Sequence, residues 1–391
     1  MIDLVHKPAM THASTIDPRS IDAGRWAIST VFLLNGAGIG LWAAHVPTVQ
    51  ARMGIDTGML SLVLLTIAGG ALMAMPLMGG LTGRWGTRRM VLISGFAFAL
   101  MTAVVMAVPS LPLLFAAALL FGVANGALDV AMNANASEVE TARGLPTMSS
   151  FHGFFSLGGL FGAGLGGVLV GQGLGHGEGA LMVGVVTAVV LALTAPRVLG
   201  FAPHAAGSHF MLPRGAALGL GLLALLCFAV EGALVDWSAL LLEERTGATP
   251  AAAALGYSAF SIAMAACRFA GDRIILRFGA LRVMVIGGLA MFAGLALAVM
   301  STNFVISSCG FALVGLGAAN VVPLLFGAAA RIPGMHPGAG VAAVATLGYG
   351  GLLLAPPVLG WVAVHSSVMV ALGALSLSGL VIALSARVLK R

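Results

Sequence analysis

Charge is what this sequence of 391 residues has least of. Only 8% of it is Asp, Glu, Lys or Arg, against 59% apolar residues, and the mean hydropathy is +1.05. A soluble domain covers its surface with roughly a quarter charged residues. The deficit excludes water as the main outer solvent and makes this a membrane-embedded chain. Cysteine is scarce as well. Cys227, Cys267 and Cys309 each stand alone inside an apolar run, which excludes a disulfide framework and leaves them as small hydrophobes. No HExxH pair, no GxSxG elbow and no phosphate loop ending in Gly-Lys-Ser/Thr occurs, and the GxG spacings lie inside apolar runs, where they indicate packing. Enzyme chemistry, a metal site and a cofactor are therefore not expected, with a membrane enzyme kept as a minor alternative. The first 25 residues are polar and lack an apolar core before a small-residue cleavage site, so the first membrane segment is expected to stay in the mature chain.

What is present is a series of apolar runs of about 20 residues, the length that spans a bilayer core as a helix. Twelve are expected: 26–47, 57–80, 90–108, 112–136, 149–171, 178–197, 215–242, 251–271, 283–301, 303–330, 338–364 and 367–387. The stretch from Pro196 to Arg214 is rich in Pro, Gly and His, too short for a domain, and reads as a linker. The expected organisation is a tail over 1–25, a six-helix bundle over 26–197, a linker over 198–214, a second bundle over 215–387 and a tail over 388–391.

Orientation follows from the bases. With the N-terminus inside, all of the 19 Lys and Arg residues except Arg52 and Arg245 fall on the inner side, Arg268 among them. Cytoplasmic loops retain positive charge, so both termini are expected in the cytoplasm and the chain in a bacterial inner membrane. The same asymmetry accounts for the net charge of +6 without nucleic acid. The halves also repeat. "NGAGIGLW" from Asn35 resembles "EGALVDW" from Glu231, an offset of 196 positions, and "RWGTRR" from Arg84 resembles "RFGALR" from Arg277, an offset of 193. Offsets near half the length imply two bundles of like orientation related by an axis along the membrane normal.

The most specific motif is "GGLTGRWGTRR", Gly79 to Arg89. It is similar to the signature loop of the major facilitator superfamily, and the resemblance covers the whole membrane portion. It implies an all-α membrane fold of 12 transmembrane helices in two pseudo-symmetric six-helix bundles. It further implies gating loops formed by Arg84, Gly86, Arg88 and Arg89 in one copy and by Asp272, Arg273, Arg277 and Gly279 in the other. The family's acidic residue is Gly83 here, and the second copy has Leu276 at that point, with Asp272 and Arg273 one turn earlier as substitutes. The plainer alternative is that these arginines only enforce topology. "GGLFGAGLGG", Gly158 to Gly167, and "GLLLAPPVLG", Gly351 to Gly360, are similar to the glycine-rich pattern of superfamily antiporters and suit either a rocking helix pair or ordinary close packing. The fourth helix lacks the arginine usual in drug/proton antiporters.

Asn125, Asp129 and Asn133 are spaced by four and form one stripe on the fourth helix. A central aspartate costs about 2.5–3.5 kcal/mol in lipid, so the stripe is expected to face the bundle interior or a wet cavity. Counted from Glu138, Asp129 lies about 14 Å inside. His152, which opens the next helix, is the nearest candidate partner, as a switch pair with Asp129 or, on the plainer alternative, in a helix-to-helix hydrogen bond that only fixes packing. A carboxylate held away from water is suited to loading and releasing a proton. On the seventh helix Glu231 and Asp236 are five residues apart, so at most one points straight inward. Glu231 is assigned because it aligns with Asn35, and Asp236 is expected to meet His45. Trp42, Phe154, Trp237, Asn320 and Tyr349 are further cavity candidates, and the scattered methionines pack.

These features predict a secondary transporter working by alternating access with a small-molecule substrate, a proton as coupling ion and the lipid bilayer as solvent, and monomeric. No deep helical Lys or Arg is expected, which favours a neutral or cationic solute and disfavours a sugar phosphate. A drug or metabolite efflux antiporter is the alternative, and a passive facilitator a lesser one.

Overall fold

The computed structural model describes residues 17–174, 177–201 and 214–390, and every regular element among them is helical. The twelve expected spans are all present. They are α1 (Pro18–Met53), α2 (Thr57–Trp85), α3 (Thr87–Ala107), α4 (Leu111–Arg143), α5 (Met148–Gly171), α6 (Gly177–Thr194), α7 (Ala216–Thr246), α8 (Pro250–Phe278), α9 (Ala280–Met300), the broken pair α10 (Phe304–Ala318) and α11 (Val321–Ala329), α12 (Pro337–His365) and α13 (Val368–Leu384). Ten of these segments are long and apolar enough to cross a membrane, and α13 is a shorter apolar helix. Leu160, Phe161, Ile262 and Leu384 stand exposed on the outside, a surface that suits hydrocarbon and not water.

Several helices run past their apolar cores, because capping residues rather than hydropathy end a helix. α1 begins eight residues before the expected start at 26, with Asp17 as N-cap and Pro18 in the first turn, where a missing N–H is harmless. The expected N-terminal tail is shortened accordingly. The tenth span is not continuous. Pro323 has no N–H to give to the Ala319 carbonyl four residues back, and the helix breaks at Ala319 and Asn320.

The repeat survives in backbone detail. Gly54 and Gly247 end α1 and α7 in the left-handed region, at φ 62° and 66°. Asp56 and Thr249 then cap α2 and α8, accepting from Met59 N at 2.7 Å and Ala252 N at 3.4 Å. Gly86 and Gly279, at φ 82° and 80° with ψ 150° and 149°, each end one helix and begin the next. A side chain strongly disfavours that conformation, so glycine is what these two turns require.

The glycine-rich stretch of α5 lies on α1 of its own half. A Cβ on Gly36 or Gly40 would run into the carbonyls of Phe155 and Gly159, and one on Gly158 or Gly162 into those of Leu33 and Ala37. In the other half Gly351 of α12 meets the Leu225 carbonyl of α7 in the same way. These glycines serve close packing within a half. The face of α5 that meets the other half carries Ser149, Gly153 and Ser156 instead.

Candidate transport site

The polar stripe of α4 forms a ladder to its neighbours. Asn35 Nδ2 of α1 donates to Asn125 Oδ1 at 2.9 Å. One turn on, Asn133 Nδ2 donates to the Asp129 backbone oxygen at 2.9 Å and to Asp129 Oδ1 at 3.3 Å. Both of those partners are acceptors, which fixes the amide orientation and leaves Asn133 Oδ1 to receive His152 Nε2 of α5 at 3.1 Å. The expected partners His152 and Asp129 are thus joined through Asn133 rather than by a contact of their own. Asn133 sits between them because it shares the stripe and lies one turn nearer the histidine. His152 is buried between the rings of Phe32 and Phe326, at 5.4 and 6.0 Å. Asp129 is itself buried, and its Oδ2 has no hydrogen bond of ordinary geometry. The Tyr349 hydroxyl of α12, from the other half, faces that carboxylate closely enough to interact with it.

The second cluster overturns one expectation. Arg268 is not a loop base but lies inside α8, buried to 6% exposure. Its Nη2 is 3.7 Å from Glu231 Oε2 of α7, its Nη1 donates to Ser156 Oγ of α5 at 2.8 Å, and its Nε donates to the Ala319 carbonyl at 3.4 Å. The last bond uses the acceptor that Pro323 sets free. A buried cation has to be matched by acceptors on all sides, and here two helices, α5 and α7, and the break in a third supply them. Arg268 lies within the apolar run 251–271, and that position was the signal for its depth. The inference from an interior free of bases loses its premise. Tyr349 interacts with Glu231 and Arg268 as well as with Asp129, so it stands between the two clusters.

The halves are sealed at the arginine-rich end. Glu140 accepts from the amides of Thr147 and Met148 at 2.8 Å, and Asp272 of α8 accepts from those of Ser149 and Ser150 at 3.1 to 3.3 Å. Two carboxylates, one from each half, therefore satisfy the orphan donors at the start of α5, where the helix dipole favours negative charge. Glu140 also holds Arg331 at 3.0 Å. Asp272 serves this cap, while Arg273, Arg84, Arg88 and Arg89 are exposed and Arg277 lies over the Phe278 ring. On the other seam, between α2 and α12, a Cβ on Gly79 would meet Ala339 and one on Gly338 would meet Thr82. Replacing Asp272 by alanine is expected to favour opening of the α5 and α8 ends by up to about thirtyfold, since a carboxylate at a helix N-terminus contributes up to ~2 kcal/mol. Spin-label distances between Leu145→Cys and Leu276→Cys, in a background lacking the native cysteines, should then shift to longer values.

Other expected residues fall into lesser places. Trp42 is buried against Phe121, with ring centroids 6.1 Å apart. Phe154 packs edge-on against Trp26 and Phe269. Trp237 has a buried ring nitrogen without a partner. Asn320 marks the helix break, with Nδ2 3.5 Å from Cys267 Sγ. His45 is buried and bonds the Leu41 carbonyl of its own helix, and the side chain of its expected partner Asp236 lies outside the described residues. Glu140, Arg331 and Ser156 had no motif to reveal them, because their partners are far away in sequence.

Paired half-repeats of membrane-spanning helices around a buried polar seam are the construction of a membrane transporter. The Major Facilitator Superfamily model matches residues 27–207. An MFS-type transporter of Yersinia pestis is 39% identical over 363 residues, 92% of this chain and 94% of its own. The membrane protein MosC of Rhizobium meliloti is 33% identical over 347 residues, 86% and 83% of the two chains. Among solved structures, the E. coli fucose:proton symporter FucP in its outward conformation superposes with a TM-score of 0.78 at 16% identity, covering 95% of this chain and 100% of its own. The human organic anion transporter MFSD10 gives 0.76 at 18% identity, covering 95% and 100%. The chain belongs to the major facilitator superfamily.

Proposed function

We propose that the protein is a secondary active transporter that moves a small neutral or cationic polar solute across the bacterial inner membrane by alternating access. A proton is the coupling ion, and both termini lie in the cytoplasm. The bundles 26–197 and 215–387 are the moving bodies, and the conformation sealed at the arginine-rich end is the outward-facing one. The observation that carries the reading is Asp129: a buried carboxylate facing the hydroxyl of Tyr349 of the opposite half. A proton taken up there changes what joins the halves. The solute class rests on the interior charges, because the base Arg268 is already matched by Glu231 and no other Lys or Arg among the described residues is buried.

FucP is a fucose:proton symporter, which is a precedent for a neutral solute. Arg268 also favours a second reading, a monoanion that displaces Glu231, for which the organic anion transporter is the precedent. A thermal-shift screen of the purified protein separates them, using sugars, amino acids, nucleosides, organic amines and monocarboxylates. A ligand at one hundred times its Kd adds about 2.7 kcal/mol of stability. Stabilisation by a sugar, nucleoside or amine supports the first reading, and stabilisation by monocarboxylates alone replaces it with the second.

A further inference from the structure

The turn between α2 and α3 holds more positive charge than the protein itself neutralises. Arg84, Arg88 and Arg89 line a cleft of about 490 Å³ together with Trp85, Leu92, Ile93, Gly200 and Phe201. The three arginines are exposed and make no ion pair among the described residues. Arg88 gives one Nη2 hydrogen bond to the Ala195 carbonyl at 3.3 Å and keeps its other donors. The residue before Arg84 is the uncharged Gly83, and the connecting chain 202–213 contains no Asp or Glu. No carboxylate among the described residues supplies their countercharge.

The shape of the cleft indicates its source. Guanidinium groups cluster at the helix ends, where the chain leaves the apolar zone. Leu92 and Ile93 continue the wall one turn further along α3, Ile93 half-exposed toward the lipid side. Trp85 stands at the same edge, 41% exposed, in the position that indole prefers at a bilayer interface. A free anion would need only the arginines. A molecule with an anionic head and an acyl chain uses the whole wall, and basic pockets at helix ends are suited to such heads.

We propose that this cleft is a binding site for the headgroup phosphate of an anionic phospholipid, held by Arg84, Arg88 and Arg89 with its acyl chain along Leu92 and Ile93. The second copy of the turn lacks this construction. Its bases are Arg277 and Arg282, Leu281 replaces the middle arginine, and Arg277 is engaged with the Phe278 ring at 5.5 Å. The site does not depend on which solute is moved or on proton coupling, so its test is separate from that of transport.

The test is native mass spectrometry of the purified full-length protein in detergent, titrated with phosphatidylglycerol and, in parallel, with phosphatidylcholine. One phosphatidylglycerol is expected to be retained at least about tenfold more tightly than phosphatidylcholine, and each Arg→Gln substitution at 84, 88 or 89 to weaken it about fivefold. The double variant Arg277→Gln with Arg282→Gln removes charge from the same end and should leave this lipid bound. The triple variant Arg84→Gln with Arg88→Gln and Arg89→Gln should lose the preference altogether, and the single variant Arg89→Gln serves if the triple variant does not fold. Equal binding by wild type and the 84/88/89 variants would overturn the proposal, as would equal loss in the 277/282 variant, which would indicate a diffuse field. Displacement of the lipid by millimolar inorganic phosphate would assign the site to a soluble anion instead.

Discussion

Replacing Asp129 by asparagine is expected to abolish gradient-driven accumulation while leaving solute exchange intact. A gradient of one pH unit is worth about 1.4 kcal/mol, enough to concentrate a solute about tenfold when one proton moves with it. Asparagine keeps the shape and can still accept from Asn133, which donates to Oδ1 at 3.3 Å, but it cannot take up a proton. In proteoliposomes the tenfold ratio should collapse to about one, and counterflow between equal solute pools should persist. Loss of counterflow together with accumulation would make Asp129 a ligand of the solute, and retained accumulation would remove it from coupling altogether.

The largest stability effect is expected for Glu231→Gln. Glutamine keeps an amide oxygen but removes the countercharge, leaving the Arg268 guanidinium buried among neutral acceptors, Ser156 Oγ and the Ala319 carbonyl among them. Breaking a buried pair from one side costs about 3–5 kcal/mol, whereas replacing both partners by apolar residues of similar volume is often neutral. The thermal midpoint should therefore fall for Glu231→Gln and recover in the double variant Glu231→Leu with Arg268→Met. An unchanged midpoint in the single variant would mean that the pair, at 3.7 Å, contributes nothing to the resting fold.

The architecture was legible because lipid imposes it. Apolar runs of bilayer length, the repeated Gly86 and Gly279 turns, and the bases gathered on one side each carry a physical requirement that can be read locally. Within the site, spacing by four sufficed to place Asn125, Asp129 and Asn133 on one face of α4. It did not show that Asn133 would come between Asp129 and His152, because which rung meets the neighbouring helix depends on the rotation of α4 against α5. Arg268 was misread for a related reason. Counting bases by loop treats every arginine near a helix end as topological, and only the acceptors on α5, α7 and the α10 break show that this one is buried. Pro323 was visible throughout, but its consequence, a freed carbonyl at Ala319, needed α8 alongside.

The two seams at the arginine-rich end are made of different materials. Between α5 and α8, carboxylates meet helix amides and Glu140 holds a half-exposed Arg331. Between α2 and α12, Gly79 and Gly338 bring uncharged backbone against Ala339 and Thr82. Dissolved salt weakens the first kind of contact and barely affects the second. Raising the ionic strength thus loosens one side of the closure while the other stays shut, so the uncharged seam acts as the pivot and the charged seam as the catch.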